Sequence, residues 1–145
     1  MPPAADHDTS PVHRFRIEID GVAQAEFSEC TGLAVETEVL SFREGSERAV
    51  FRKVPGLTKY SNLTLKRGFT PNRDLWDWYR AVIDGKPDRR TVAIVLLNRT
   101  AQPVARWVAQ RAWPCKWEGP AFDALGNDVA IETLELAHEG LEWEE

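Results

Sequence analysis

Alternating hydrophobic and polar residues fill the first half of the chain and predict β-strands. Residues 15–19 alternate in this way, and the Asp20-Gly21 pair that follows is typical of a tight hairpin turn. The same alternation predicts strands at His13–Ile19, Val22–Glu29, Ala34–Phe42, Ala49–Val54 and Ser61–Arg67. Two glycine-containing pairs are expected to end the second and fourth of these strands, Thr31-Gly32 and Pro55-Gly56.

One segment has helical spacing instead. Apolar side chains recur at intervals of three and four between residues 70 and 85, namely Leu75, Trp78 or Tyr79, and Val82. This spacing predicts one amphipathic helix of about three turns. Thr70 or Asn72 is expected to cap its N-terminus, and Gly85 is expected to end it.

The last third of the chain predicts further strands. Thr91–Leu97 is apolar on both faces, as expected of a central strand between two layers, and Val104–Arg111 runs back beside it. In Val129–Glu139 the apolar positions change phase between residues 131 and 134, which predicts a β-bulge. These elements predict a mainly β fold: a β-sandwich or barrel of about eight strands with one packed α-helix.

Composition and charge favour a single globular domain. The chain has 145 residues, of which 43% are hydrophobic and 28% charged; residues 1–12 are expected to be a flexible tail and residues 13–145 one domain. The formal net charge of -5 argues against a general nucleic-acid coat. The last 28 residues, however, carry nine acidic side chains and no Lys or Arg, which leaves +4 on residues 1–117. Opposite charges at two places on one subunit can bring its copies together.

Neither a membrane span nor a disulfide scaffold is predicted. No stretch approaches the ~18 apolar residues of a membrane span, and Met1–Pro11 lacks the apolar core of a signal peptide. These features predict a protein made in the cytoplasm and kept soluble there. Cys30 and Cys115 are too few for a disulfide scaffold, so both are expected to be buried free thiols.

Residues suited to catalysis are sparse. Neither a Ser/His/acid group nor a phosphate-binding glycine loop can be proposed from spacing. Glu135 and His138 form a Glu-x-x-His pair, which on a helix would place both side chains on one face, as in carboxylate-bridged metal sites. On a strand they point to opposite faces and cannot chelate together. We therefore predict no catalytic residue, no cofactor and no metal site, with a metal-dependent enzyme at this pair as an alternative.

Six tryptophans suggest a different alternative, a ligand-binding β-barrel carrier in which aromatic rings stack on a small molecule. Trp76 and Trp78 lie two positions apart on the predicted helix, so one is expected in the core and the other against a partner. Because aromatic residues are also enriched in protein interfaces, these positions fit an assembly protein as well.

Several segments match a known family in order along the chain. They are FRIEIDG (15–21), FSECTGLAVETEV (27–39), FRKVPGLTKYSNLTLKRG (51–68), LWDWY (75–79) and WPCKWEGPAFDALGNDVAIETLELAHEGLE (113–142). Together they resemble the tail-tube protein family of contractile-tailed phages, and most closely the inner-tube proteins of extracellular contractile injection systems. The blocks at residues 55–60 and 117–120 are the most specific, because neither follows from periodicity.

The resemblance implies a small β-sandwich that assembles into hexameric rings, stacked into a hollow tube inside a contractile sheath. Sheath contraction would drive the tube through a target envelope, with protein effectors or DNA as cargo. The implied partners are copies of the chain itself, a sheath protein, baseplate hub, spike and tube-initiator proteins, and tape-measure and tube-terminating proteins, with no membrane anchor. Assembly is implied in the bacterial cytoplasm, within a particle that is released or retained.

The resemblance also implies which residues lie between subunits. The excursion at residues 42–59 is expected to reach the neighbouring ring, and strands of adjacent subunits are expected to join into one inner layer. The expected contact residues are Arg43, Glu44, Glu47, Arg48, Arg52, Lys53, Lys59, Tyr60 and Trp117. Weak charge pairs suffice because each is repeated around a ring. A tube-initiating baseplate paralogue of the same fold is a close alternative, which copy number per particle would distinguish.

Overall fold

In the computed structural model the described residues are 14–24, 27–43, 45, 51–126 and 129–144. The tail expected at residues 1–12 lies outside them. Over the described residues the chain forms ten strands and one helix, so the predicted mainly β fold with one packed helix is confirmed. In chain order these are β1 Arg14–Ile19, β2 Val22–Gln24, β3 Phe27–Thr31, β4 Val35–Phe42, β5 Arg52–Tyr60, β6 Leu63–Gly68, α1 Asp74–Ile83, β7 Arg90–Leu97, β8 Pro103–Glu118, β9 Ile131–Ala137 and β10 Gly140–Glu144.

Eight of the strands form one antiparallel sheet that folds over on itself into two layers. Its order is β2-β1-β7-β8-β9-β6-β3, with β10 also paired to β8. The first part of β8 pairs with β7 and β10, and from Trp113 onward β8 pairs with β9. Arg111, where one part meets the other, has a positive φ of 52°. β8 therefore belongs to both layers of the sandwich.

The hydrophobic core lies between the two layers and under the helix. Leu63 and Leu65, the apolar positions of β6, are fully buried there. Their neighbours in the core come from both layers and from α1: Ile17, Ile19, Val92, Ala109, Leu134, Leu136, Leu75 and Trp78. β7 lies between β1 and β8, which confirms the central strand predicted from its two apolar faces.

The helix α1 is shorter than the predicted segment, but its end is the expected one. The N-cap residue is Arg73, which makes no side-chain cap hydrogen bond, rather than the expected Thr70 or Asn72. The Asn72 side chain does accept the Asp74 N–H at 2.9 Å and so satisfies one of the free amides of the first turn. Gly85 has a φ of +79°, and its N–H donates to the Val82 carbonyl while Lys86 N–H donates to that of Ala81. These two bonds form a Schellman motif, in which glycine is favoured at the left-handed position.

Several strand boundaries differ from the sequence predictions. The single strand expected at Val22–Glu29 is divided between β2 and β3, and β10 was not predicted. The expectation that Pro55-Gly56 ends a strand is wrong, because β5 runs through both residues to Tyr60. Proline is tolerated there because the β4–β5 register shifts between Thr37 and Val39, and bulges accept a residue without an N–H.

The prediction of a β-bulge in Val129–Glu139 is also wrong. β9 pairs with β6 without a register shift, and the shift in this part of the sheet lies on β8, between Pro114 and Lys116. The apparent change of phase arises because Glu132, a charged residue, occupies a core position of β9. β8 extends beyond Arg111, where the predicted strand ends, and continues through Trp113 and Pro114 as one strand of 16 residues.

Candidate assembly surfaces

β4 and β5 form a two-stranded ribbon, which we call the arm. Among the described strands they pair with each other and with no third strand. Every residue of β4 is exposed, and so are most residues of β5. The exposed side chains of the arm and its continuation include large apolar ones: Val35, Val39, Leu40, Phe42, Phe51, Val54 and Leu57. A two-stranded ribbon is marginally stable alone, so this surface is suited to packing against a partner.

The pairing of β4 with β5 shows which of these side chains lie on the same face of the arm. Leu40 is directly opposite Val54, and Phe42 is opposite Arg52. Residues opposite each other in an antiparallel pair share a face. Leu40, Phe42 and Val54 therefore form an apolar patch toward the far end of one face, with Arg52 beside it.

The base of the arm is fixed to the sandwich by hydrogen bonds and one ring contact. Ser61 N–H, just after β5, donates to the Ala34 carbonyl, just before β4, at 3.1 Å. The His138 ring has Nε2 at 2.9 Å from the Ser61 carbonyl oxygen and Nδ1 at 3.0 Å from that of Gly140. The Tyr60 ring lies against it, with the centroids 5.6 Å apart. The arm is thus anchored at one end and exposed along its length.

Most of the expected contact residues that are described lie on the arm. Arg52, Lys53, Lys59 and Tyr60 are in β5, and Arg43 directly follows β4, with its guanidinium 5.9 Å from the centroid of the Phe51 ring. Glu44, Glu47 and Arg48 lie outside the described residues. Trp117, by contrast, is on β8 and contacts residues of its own chain.

Trp117 belongs to a buried network that the sequence analysis missed. Arg67 Nε donates to Glu132 Oε1 at 2.7 Å, and Trp117 Nε1 donates to Glu132 Oε2 at 2.8 Å. The Arg67 and Glu132 side chains are only 5% and 3% exposed. The signal was present in the alternation, since Arg67 continues the inward phase of Leu63 and Leu65 on β6. A buried charge requires a partner, and here β9 supplies it directly opposite.

A second exposed apolar surface is the loop between β8 and β9, which we call the distal loop; it is described at residues 119–126 and 129–130. Phe122 and Leu125 are each 94% exposed. Asp123 holds the turn between them, because its side chain accepts the Leu125 N–H at 3.1 Å and its carbonyl accepts that of Gly126 at 3.1 Å. The loop is fastened where Phe69 N–H donates to the Ala130 carbonyl at 2.9 Å.

The tryptophans of the helix are used inside the chain rather than at an open site. Trp78 is buried, and its Nε1 donates to the Asp88 carbonyl at 2.6 Å. Trp76, which we expected against a partner, packs its ring edge-on to Trp117 of the same chain, with centroids 4.9 Å apart. The Trp76–Trp117 contact thus joins α1 to β8 within one chain.

The Glu135–His138 pair lies on a strand and its end, so the geometry of a helical metal site is absent. Glu135 Oε2 accepts a hydrogen bond from Asn62 Nδ2 at 2.8 Å, while His138 contacts backbone oxygens at the arm base. In the described part of the chain, no group of three or more His, Cys, Asp or Glu side chains is placed to hold a metal ion.

Both cysteines are free, as predicted, but they are only partly buried. Burial raises the pKa of the Cys30 thiol from its ordinary value of 9.0 to about 11. Burial and the neighbouring Glu135 carboxylate raise the pKa of Cys115 as well.

This shift predicts slow alkylation of Cys30 in the folded protein. Because the thiolate is the nucleophile, and its fraction at pH 8 falls about a hundredfold when the pKa rises from 9.0 to about 11, folded Cys30 should react with iodoacetamide about a hundred times more slowly than unfolded Cys30. Peptide mass spectrometry with and without urea measures both rates, and Cys115 provides an internal comparison. Equal rates in folded and unfolded protein would contradict the assignment.

The described residues define the class of fold: a β-sandwich with two exposed apolar surfaces, the arm and the distal loop. Within the described residues no helix is long and apolar enough to cross a membrane. Comparisons with known proteins place the chain more narrowly.

Solved structures with this fold include components of contractile injection systems. A chain of the PVC extracellular contractile injection system sheath-tube complex in the extended state is 25% identical over 92% of this chain and 90% of that chain, with a TM-score of 0.83. A chain of the anti-feeding prophage baseplate, 6-fold symmetrised, is 27% identical over 93% and 95%, with a TM-score of 0.80. Hcp1 from Flavobacterium johnsoniae shares the fold alone, at 14% identity over 89% and 93% and a TM-score of 0.55.

The family model of the T4-like virus tail tube protein gp19 matches residues 11–142. The chain therefore belongs to this tail tube family, and the resemblance found in the sequence is confirmed. A search of curated proteins found no match. The family and the similar injection-system structures consist of structural tube proteins, which agrees with a chain whose exposed features are surfaces for assembly.

Proposed function

We propose that this chain is the repeating subunit of the rigid inner tube of a contractile injection system or phage tail. Copies form hexameric rings that stack into a hollow tube, and contraction of a surrounding sheath drives the tube through a target envelope. The lumen carries protein effectors or, in a phage, DNA. The observation that carries this proposal is the arm, because its apolar side chains are exposed in a single chain and a neighbouring copy would cover them.

Two further observations support a ring of copies. The path of the sheet ends in β2 and β3, whose outer edges are unpaired among the described strands, and strand edges of this kind are suited to pairing with another chain. The similar baseplate structure was symmetrised with six-fold symmetry, which matches the ring size proposed.

The proposal includes a set of partners and a place of assembly. The tube subunit contacts copies of itself, a sheath protein, baseplate hub, spike and tube-initiator proteins, and tape-measure and tube-terminating proteins. It acts without catalysis, cofactor or membrane anchor, and it assembles in the bacterial cytoplasm within a contractile particle. Electron microscopy of the purified protein, alone and with its sheath and baseplate partners, should show stacked six-fold rings. A chain that stays monomeric in every one of these mixtures would contradict the proposal.

A tube-initiating baseplate paralogue is the second candidate. It is favoured by the similarity to a chain of the anti-feeding prophage baseplate, at 27% identity. Counting copies per particle distinguishes the two, because a tube subunit is present in many stacked rings and an initiator in one or a few.

Reversing the charge of Arg52 and Lys53 is expected to block tube elongation. Both lie on the exposed β5 strand, so Arg52→Glu with Lys53→Glu should leave the fold intact and disturb only contacts of the arm. Circular dichroism checks the fold, and electron micrographs count the tubes. Arg73→Glu with Lys86→Glu changes the net charge equally on other exposed positions and is the control. Wild-type tube yield from the arm variant would refute the assignment of the arm.

A further inference from the structure

The base of the arm and the distal loop lie at opposite ends of the β6–β9 pair. At one end Leu63 is paired with Leu136, next to the arm base at Ser61 and His138. At the other end Gly68 is paired with Ile131, next to the distal loop. The ladder between them has six paired positions, or about 17 Å of strand. A subunit therefore carries two separate exposed apolar surfaces that are attached to opposite ends of this ladder.

The apolar side chains of the distal loop are held outward by local structure. Phe122 and Leu125 flank the turn that Asp123 closes, and their exposure of 94% means that they contact little of their own chain. Two further exposed apolar side chains lie at the attachment of the loop, Phe69 and Val129. Exposure of large apolar groups at this level costs solubility, so a surface that keeps them is suited to binding another protein.

Charge makes the two surfaces complementary. Residues 35–60, which contain the two arm strands and the residues between them, carry five basic side chains, Arg43, Arg48, Arg52, Lys53 and Lys59, against four acidic ones, Glu36, Glu38, Glu44 and Glu47. Residues 119–130 of the distal loop contain two acidic side chains, Asp123 and Asp128, and no basic one. Opposite net charge around two apolar centres favours contact between them and disfavours arm-to-arm or loop-to-loop contact.

We propose that the arm of one copy docks on the distal loop of a second copy, with the patch of Leu40, Phe42 and Val54 packing against Phe122 and Leu125. The inference rests on the proposed tube function and names the surface that receives the arm. Because the two surfaces differ, the contact is head-to-tail and leaves one unused surface on each of the two copies. Such a contact does not close between two copies, so it can repeat from copy to copy.

Two complementary variants test this contact. The loop variant, Phe122→Ser with Leu125→Ser, keeps its arm, and the arm variant, Leu40→Ser with Phe42→Ser, keeps its loop. All four positions are exposed, so each variant should fold. Ile83→Ser with Val104→Ser, two positions that are 54% and 61% exposed and lie away from the arm, the distal loop and the edges of β2 and β3, is the matched control and should form tubes within twofold of the wild-type yield.

Each variant alone should form at least tenfold fewer tubes than the wild type, because it lacks one of the two surfaces. When the two variants are prepared separately and then mixed, arms of one should dock on loops of the other. Sedimentation or native mass spectrometry should then detect a species with the summed mass of the two and no longer stack. Tube growth by either variant alone, or a mixture without the summed species, would overturn the inference.

A photo-crosslinking amino acid at residue 122 identifies the surface directly in wild-type tubes. Crosslinked peptides should come from residues 35–43 or 51–60 of another copy. Crosslinks to a sheath or baseplate protein, or to another part of the chain, would overturn the docking surface while leaving the tube function standing. If the wild-type chain forms no tubes with any partner, the proposed function fails, and this contact fails with it.

Discussion

Glu132→Ala should lower the free energy of unfolding by about 3–5 kcal/mol, the cost of leaving one member of a buried ion pair without its partner. Arg67 would remain at a position that is 5% exposed, with its remaining hydrogen bond to the Asn72 carbonyl at 3.4 Å. Trp117 would lose the acceptor of its Nε1–H at the same time. Urea unfolding followed by tryptophan fluorescence, at a concentration where the chain is unassembled, measures the change.

Two variants show whether burial is the cause. Glu132→Gln keeps an acceptor oxygen for Trp117 and removes the charge, so it should lose less stability than Glu132→Ala. Lys66→Ala breaks the exposed pair with Glu29, whose N–O distance is 3.3 Å, and should cost about 1 kcal/mol or less because water screens exposed charges. If Glu132→Ala lowered the free energy of unfolding by no more than Lys66→Ala does, the buried pair would not hold β6, β8 and β9 together.

Gly32→Ala should give the second large loss of stability, about 2–6 kcal/mol. Gly32 has a φ of +94°, where an alanine is strained by about 1–3 kcal/mol. An added Cβ would also overlap the carbonyl oxygen of Asn62, so the backbone between β5 and β6 would have to shift, at a further cost of about 1–3 kcal/mol. The shift falls at the arm base, so tube yield should fall along with stability.

Gly21→Ala separates the backbone strain at positive φ from the overlap of the added Cβ with Asn62. Gly21 has a similar φ of +80°, but nothing lies within 4 Å of its added Cβ, so only the backbone strain remains. Comparison of the two variants by urea unfolding gives the steric part as their difference. Equal losses would show that the backbone near Asn62 moves aside without cost.

Much of the fold follows from the local alternation of apolar and polar residues. The structure differs from the prediction where pairing with a strand distant in sequence sets the strand boundary. The alternation identified β1 and β6, which bury one regular face, and also β4, whose two faces are both exposed. Two apolar faces identified β7, and helical spacing identified α1. Pro55 suggested a strand end, since proline cannot donate to a ladder, and the predicted strand Val104–Arg111 stopped before Pro114. Both prolines instead lie at register shifts with a partner strand, which the sequence of one segment does not contain.

The sequence singled out part of the candidate assembly surfaces. The expected contact residues Arg52, Lys53, Lys59 and Tyr60 lie on the arm, but Trp117 packs within its own chain. Phe122 and Leu125 were not recognised, because two apolar residues in a loop rich in Gly, Pro and Asp are common and only their exposure in the fold distinguishes them. The Arg67–Glu132 pair could have been found from phase alone, since both residues fall on inward positions of neighbouring strands.

The sharing of β8 between the two layers also has a mechanical consequence. A strand of 16 residues corresponds to about 50 Å of extended chain, and it is hydrogen-bonded to β7 and β10 in one layer and to β9 in the other. The two parts of β8 are joined by covalent backbone near Arg111, so the layers are tied together at that point. Pulling the layers apart therefore requires breaking the hydrogen bonds of β8 in one of them.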